Sequence, residues 1–168
     1  MGQLFVPRTW PMAEKSSESG LKRPVFTAAY THGVDDKRRL QIPSKWRGAC
    51  QEMELTMILW PSGWQKDACL VVLPPHVMDT FMDRFTSSSI TNSDMDALRR
   101  FMGERSDTVT LDKSGRICLP DGLAKAVGID KEAVLVGMYD RFQIWNPERY
   151  KETKPVVEAL AARVWNEF

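Results

Sequence analysis

Residues 35–43 read Asp35-Asp36-Lys37-Arg38-Arg39-Leu40-Gln41-Ile42-Pro43, and residues 112–120 read Asp112-Lys113-Ser114-Gly115-Arg116-Ile117-Cys118-Leu119-Pro120. At the offset of 77 that separates Asp35 from Asp112, Arg39 also matches Arg116 and Pro43 matches Pro120. Leu40 and Ile42 match Ile117 and Leu119 with similar side chains. The echo resumes further on with a five-residue shift, where Leu70-Val71-Val72-Leu73-Pro74-Pro75 aligns with Phe142-Gln143-Ile144-Trp145-Asn146-Pro147. Two matched segments in the same order identify a duplicated unit.

Each unit has the same local reading. A β-rich stretch comes first, Val25 to His32 and then Asp107 to Leu111. A charged turn follows, Asp35 to Arg38 and Asp112 to Gly115, the second with the polar, glycine-bearing composition of tight hairpins. The strands Arg39–Ile42 and Arg116–Leu119 alternate, so their apolar members share one face while Arg and Gln or Cys share the other. Proline then closes each strand and opens a short helix, Ser44–Cys50 and Asp121–Val127, and Gly128 suits a left-handed cap on the second. A further hairpin pairs Ala133–Met138 with Phe142–Trp145; its counterpart pairs Glu54–Trp60 with Cys69–Leu73 across the longer loop Pro61–Asp67.

Between the units, Pro75–Phe85 and Ser93–Met102 read as helices separated by Thr86-Ser87-Ser88-Ser89. Val156, Val157, Leu160, Ala161, Val164, Trp165 and Phe168 recur at helical spacing, giving an amphipathic helix whose apolar face needs a partner. The organisation expected is an N-terminal extension over 1–23 of disordered composition, repeats over 24–86 and 105–150, a helical connector over 87–104, and a C-terminal helix over 151–168. Met12, followed by Ala13-Glu14-Lys15, is a second candidate start.

The 168 residues are 43% hydrophobic, enough for a buried core, and 23 basic against 22 acidic side chains leave a net charge of only +1. Electrostatic arguments must therefore rest on where the charges sit. Residues 21–47 hold Lys22, Arg23, Lys37, Arg38, Arg39, Lys45 and Arg47 against Asp35 and Asp36. No apolar run reaches the length of a membrane span. Cys50, Cys69 and Cys118 are odd in number and widely spaced, which suits buried apolar thiols in a reducing cytoplasm rather than zinc or disulfide chemistry. His32 and His76 stand far apart, and no Ser-His-Asp, H-E-x-x-H or phosphate-loop pattern occurs, so an enzyme is not expected. Trp145, alternating with Gln143, reads as packing rather than as a base-stacking platform.

A doubled D-x-x-x-R motif with an alternating strand, proline and short helix resembles the MraZ family. The motif stands as Asp35…Arg39 and as Asp112…Arg116, and His32-Gly33-Val34-Asp35, Ser44-Lys45-Trp46-Arg47 and Val136-Gly137…Phe142-Gln143-Ile144-Trp145 are similar to the family too. Arg38 departs from it, standing where glycine is frequent. The resemblance spans roughly 24–150 and implies an α+β fold of two tandem AbrB-like swapped-hairpin units in one pseudo-symmetric domain. It further implies a cytoplasmic, nucleoid-associated transcription regulator, usually a repressor of a division and cell-wall gene cluster. Such a protein binds direct repeats in double-stranded DNA as a ring-shaped homo-oligomer. No cofactor, metal, membrane or small-molecule substrate is expected.

Within that frame the candidate DNA-contacting residues are Lys37, Arg38, Arg39, Lys113 and Arg116, since basic side chains on a hairpin reach phosphates and arginine also pairs bidentately with guanine. Asp35, Asp112 and Gly115 are assigned to the turns: a carboxylate at a hairpin entrance bonds turn N–H groups and pairs with the arginine across it. The arginines could hold the turn, touch DNA, or both. An alternative is an antitoxin-like protein of related fold that binds a partner toxin.

Overall fold

The computed structural model describes residues 23–60, 69–87 and 92–166. The N-terminal extension up to residue 22, the loop 61–67, Ser88 and Ser89 of the linker, and Phe168 lie outside the described residues.

The duplicated sequence folds as two units that exchange their first strands. In chain order the elements are β1 (Ala29–Gly33), β2 (Arg39–Gln41), α1 (Ser44–Cys50), β3 (Leu55–Trp60), β4 (Cys69–Leu73), α2 (Pro75–Ser87) and α3 (Asn92–Gly103), then β5 (Ser106–Val109), β6 (Arg116–Cys118), α4 (Asp121–Ala126), β7 (Glu132–Gly137), β8 (Phe142–Trp145) and α5 (Pro147–Trp165). The main sheet is antiparallel with strand order β1-β7-β8-β4-β3-β5. Thus β1 of the first unit pairs with the second unit's hairpin, and β5 of the second pairs with the first unit's hairpin. The pseudo-twofold runs between β4 and β8, where Val71 faces its own repeat counterpart, Gln143.

Beyond the turns themselves and one antiparallel bridge, Val34 with Leu40, the short alternating strands do not ladder with β1 and β5. They pair with each other instead, β2 with β6, as a separate two-stranded ribbon. Burial explains the choice: Leu40 opposes Ile117 in that ribbon, both wholly buried against the sheet. One sheet face carries Leu55, Met57, Leu70, Val72, Leu135 and Ile144, packed against the ribbon's Leu40 and Ile117 and against Trp46 of α1. Trp46 sits edge-on to Phe26 at 5.5 Å and to Tyr30 at 5.4 Å, and donates from Nε1 to the Thr27 carbonyl. The opposite face, with Ile58, Val71 and Trp145, packs on Val77 of α2 and Tyr150 of α5. Because β4 is covered on both faces, its five residues form an unbroken apolar run.

Three expectations are corrected. The first strand begins at Ala29, not Val25, because Ala28 takes a left-handed φ of 69° and Phe26 turns aside to exchange backbone bonds with Tyr139. Cys50 and Cys69 are buried, and burial raises each thiol to about 12, but Cys118 is exposed on the ribbon's outer face. The last helix starts at Pro147, where the proline after β8 already marks a helix start, and not at the expected bound of 151, since Asn146 caps it by accepting the Arg149 N–H and proline suits the first helical position. Thr153 is its buried residue, whereas Val156, Val157, Val164 and Trp165 are exposed.

Candidate nucleic-acid interface

Both D-x-x-x-R turns close the same way. The Arg38 N–H donates to the Asp35 carbonyl and the Asp35 N–H to the Arg39 carbonyl; Gly115, Asp112 and Arg116 repeat this pattern. The fourth residue of each turn is left-handed, Arg38 at φ 57° and Gly115 at φ 73°, as in a three-residue hairpin loop with a bulge. Asp35 Oδ1 accepts from the amides of Lys37 and Arg39, each at 2.9 Å, while Oδ2 accepts from Arg39 Nε at 2.7 Å. Asp112 Oδ1 accepts from the amides of Ser114 and Arg116, and Oδ2 from Arg116 Nε at 2.9 Å and Nη2 at 2.8 Å. The Arg39 amide, and the Arg39 and Lys37 bonds after it, hold the Asp35 carboxyl below the usual range; for Asp112 the Arg116 amide and guanidinium do the same.

The ribbon brings the two turns side by side. Gln41 Nε2 donates to the carbonyls of Ser114 and Gly115, and at the matching place Cys118 Sγ lies 3.6 Å from the Lys37 carbonyl. Arg116 Nη1 stands 3.8 Å from Asp35 Oδ2, joining the two carboxylate–arginine pairs. In register, Arg39 opposes Cys118 and Gln41 opposes Arg116, so these four share the outer face while Leu40 and Ile117 point inward. Lys37 and Lys113 are exposed at the turns, and the Arg39 and Arg116 side chains are 35% and 29% exposed. Their charges sit at the turns and on the outer face of a two-stranded ribbon whose inner face is core.

Arg38 is placed differently. Its Nε lies 2.7 Å from Asp121 Oδ1 at the start of α4, and its Nη1 donates to the Ile129 carbonyl at 3.3 Å. Asp121 is also bound by Lys125 Nζ at 2.5 Å, and Lys125 and then Arg38 hold its carboxyl below the ordinary range. Of the other basic residues near the first turn, Arg47 donates from Nε to the Ile42 carbonyl and Lys45 is exposed. The sequence reading missed Asp121; its (i, i+4) spacing to Lys125 was the available signal. Among the described residues no three His, Cys, Asp or Glu cluster to hold a metal ion, and no helix is long and apolar enough to cross a membrane.

A family model described as "MraZ protein, putative antitoxin-like" matches residues 101–157. A Thermomicrobium roseum protein named "Transcriptional regulator MraZ" is 33% identical over 127 residues, which cover 75% of this chain and 84% of that protein. A Clostridium tetani protein of the same name is 33% identical over 128 residues, 76% of this chain and 86% of its own length. Its namesake in Moorella thermoacetica is 33% identical over 144 residues, covering 83% and 96%. The chain belongs to the MraZ family of transcriptional regulators. The swapped α+β architecture and the paired D-x-x-x-R turns are this MraZ chain's version of the fold.

Proposed function

We propose that this MraZ chain regulates transcription by sequence-specific binding of double-stranded DNA through the outer face of the β2–β6 ribbon. The observation that carries the reading is the juxtaposition of Arg39 and Arg116 across one pseudo-twofold, with Lys37 and Lys113 exposed at the adjoining turns, on a ribbon whose other face is core. The lysines at the tips suit phosphates; Arg39 and Arg116, oriented by their aspartates, suit base edges or phosphates. The two interlocked repeats, 24–86 and 105–150, act as one DNA-facing unit, with 87–104 as connector and 151–168 as an appended helix. The operator consists of direct repeats upstream of a division and cell-wall gene cluster, the usual outcome is repression, and the protein works in the cytoplasm at the nucleoid. It acts as a ring-shaped homo-oligomer, for which the exposed Val156, Val157, Val164 and Trp165 of α5 supply an apolar face. The same face supports a second reading, an antitoxin-like contact with a partner protein, which would show as a stoichiometric companion on native purification.

The test is a footprint and binding titration on the DNA upstream of the protein's own gene, with light scattering of the free protein and the complex. Protection of spaced repeats by an assembly larger than a dimer is expected. Failure to bind that duplex in low salt would sink the reading.

A further inference from the structure

The two turns carry different residues at their left-handed position, and the difference is matched on the opposite helices. At the offset of 77, Arg38 corresponds to Gly115, Arg47 to Ala124 and Ser44 to Asp121. The second turn lies against α1 of the first unit: a Cβ built on Gly115 would stand 2.5 Å from Arg47 Cδ and 3.0 Å from its Nε. The Arg47 side chain therefore runs directly across Gly115, fixed by its bond to the Ile42 carbonyl, while the Ile42 N–H bonds the Gly115 carbonyl. The first turn lies against α4 of the second unit, and there the arginine comes from the turn itself. Arg38 reaches Asp121 and the Ile129 carbonyl, while the Leu119 N–H bonds the Arg38 carbonyl in the matching backbone contact. Ala124, wholly buried, stands where the first unit has Arg47.

We infer that Arg38 and Arg47 are reciprocal positioning residues, one arginine per turn–helix contact supplied from opposite sides, and that neither contacts DNA. Each locks a DNA-facing turn onto the short helix of the other unit, which fixes how Lys37, Arg39, Lys113 and Arg116 are presented. The DNA half of this inference rests on the ribbon being the DNA-binding face; the contact itself does not. Glycine is favoured at 115 on two counts, its φ of 73° and the Arg47 stem above it. Arg38 bears its left-handed φ of 57° while held by Asp121 and the Ile129 carbonyl. The units are consequently not interchangeable piecemeal: an arginine can be moved from helix to turn only if the opposite position changes with it.

The experiment is a mutant cycle on the full chain, read first by thermal unfolding. Gly115→Ala should lower Tm by about 3–8 °C in the parent and clearly less in an Arg47→Ala background, because only the φ penalty remains there. Gly115→Arg should lower it further, and Gly115→Arg/Arg47→Ala/Ser44→Asp, which copies the first turn's arrangement, should regain at least half of that loss. Additive shifts in the alanine cycle would overturn the contact even if Gly115→Arg does not fold. The second readout is the salt dependence of operator binding. Arg38→Ala and Arg47→Ala should leave the slope of log K against log salt unchanged, whereas Arg39→Ala should flatten it by about 0.9 for each phosphate no longer neutralised. A slope change of that size in Arg38→Ala or Arg47→Ala would make that residue a DNA contact and refute the positioning role. If the parent binds no duplex, the DNA-binding proposal fails, and the thermal cycle still decides the turn–helix contact.

Discussion

The first turn, Asp35-Asp36-Lys37-Arg38, and the second, Asp112-Lys113-Ser114-Gly115, have the same backbone bonds and the same carboxylate-to-arginine clasp, yet only the aspartates agree in position and type. What repeats is the group that organises the backbone. A carboxylate accepting two turn amides and a guanidinium fixes the loop whatever the intervening side chains are. What diverges is the surface, where the first turn adds Asp36 and Arg38, and the second has Ser114 and Gly115. The ribbon beneath shows the opposite balance, with Leu40 and Ile117 alike because each must fill the same buried space.

That equivalence in the core can be broken by the largest effect expected. Leu40→Ala and Ile117→Ala each leave a cavity between ribbon and sheet at a wholly buried position, and each should cost about 2–5 kcal/mol. Because the residues oppose each other on the pseudo-twofold, the two costs should agree within about 1 kcal/mol in denaturant unfolding. A large loss for one and a negligible loss for the other would mean that the ribbon is anchored from one unit only.

Divergence at the surface is sharpened by a smaller effect. Lys37 and Lys113 are the exposed cations of the two turns, and on the proposed function each neutralises phosphate. Lys37→Ala and Lys113→Ala should weaken operator and unrelated duplexes alike, each flattening the salt slope by about 0.9 per engaged subunit. If one variant keeps the parent slope in a salt titration, only the other turn tracks the backbone.

The duplication, the α+β class, the hairpins β3–β4 and β7–β8 and the short helices were all legible, because local patterning specifies each of them. The D-x-x-x-R spacing also announced the carboxylate clasp, a contact made within five residues. The exchange of β1 and β5 is expected only through the resemblance to swapped-hairpin repeats, and it and the pairing of β2 with β6 join segments far apart in the chain, such as Arg39 with Cys118, which alternation within a strand cannot encode. For the same reason the run of basic residues from Lys37 to Arg39 gave no hint that Arg38 bonds Asp121, or that Arg47 lies across Gly115. Cys118 read as a buried thiol from the number and spacing of the cysteines, whereas the alternation of its own strand correctly sets it on the Arg face opposite Arg39.

The finest distinction between the turns is electrostatic. Both carboxyls are held below their ordinary value in the folded protein, Asp35 mainly by the Arg39 amide and Asp112 by the Arg116 amide and guanidinium. A depressed folded-state pKa contributes stability that is fully present above the unfolded value, about 3.9, and is lost as pH falls through the folded value. Asp35→Asn and Asp112→Asn keep an oxygen that can accept turn amides but remove the charge. Each should therefore lower Tm by a small constant amount at pH 5 and above, with the gap to the parent closing below about pH 4. Exposure and salt screening keep both effects modest. Asp35 stands near a second guanidinium, Arg116 at 3.8 Å, besides its own Arg39, whereas Asp112 is paired with Arg116 alone among the described contacts. Asp35→Asn should accordingly show the larger gap at neutral pH and low ionic strength, and added salt should shrink the excess first. Unfolding curves from about pH 3 to 7 at two salt concentrations make the comparison. A gap that persists at the acid end would assign the loss to altered turn hydrogen bonds, and a larger gap for Asp112→Asn would show that the cross-unit contact of Arg116 with Asp35 adds nothing.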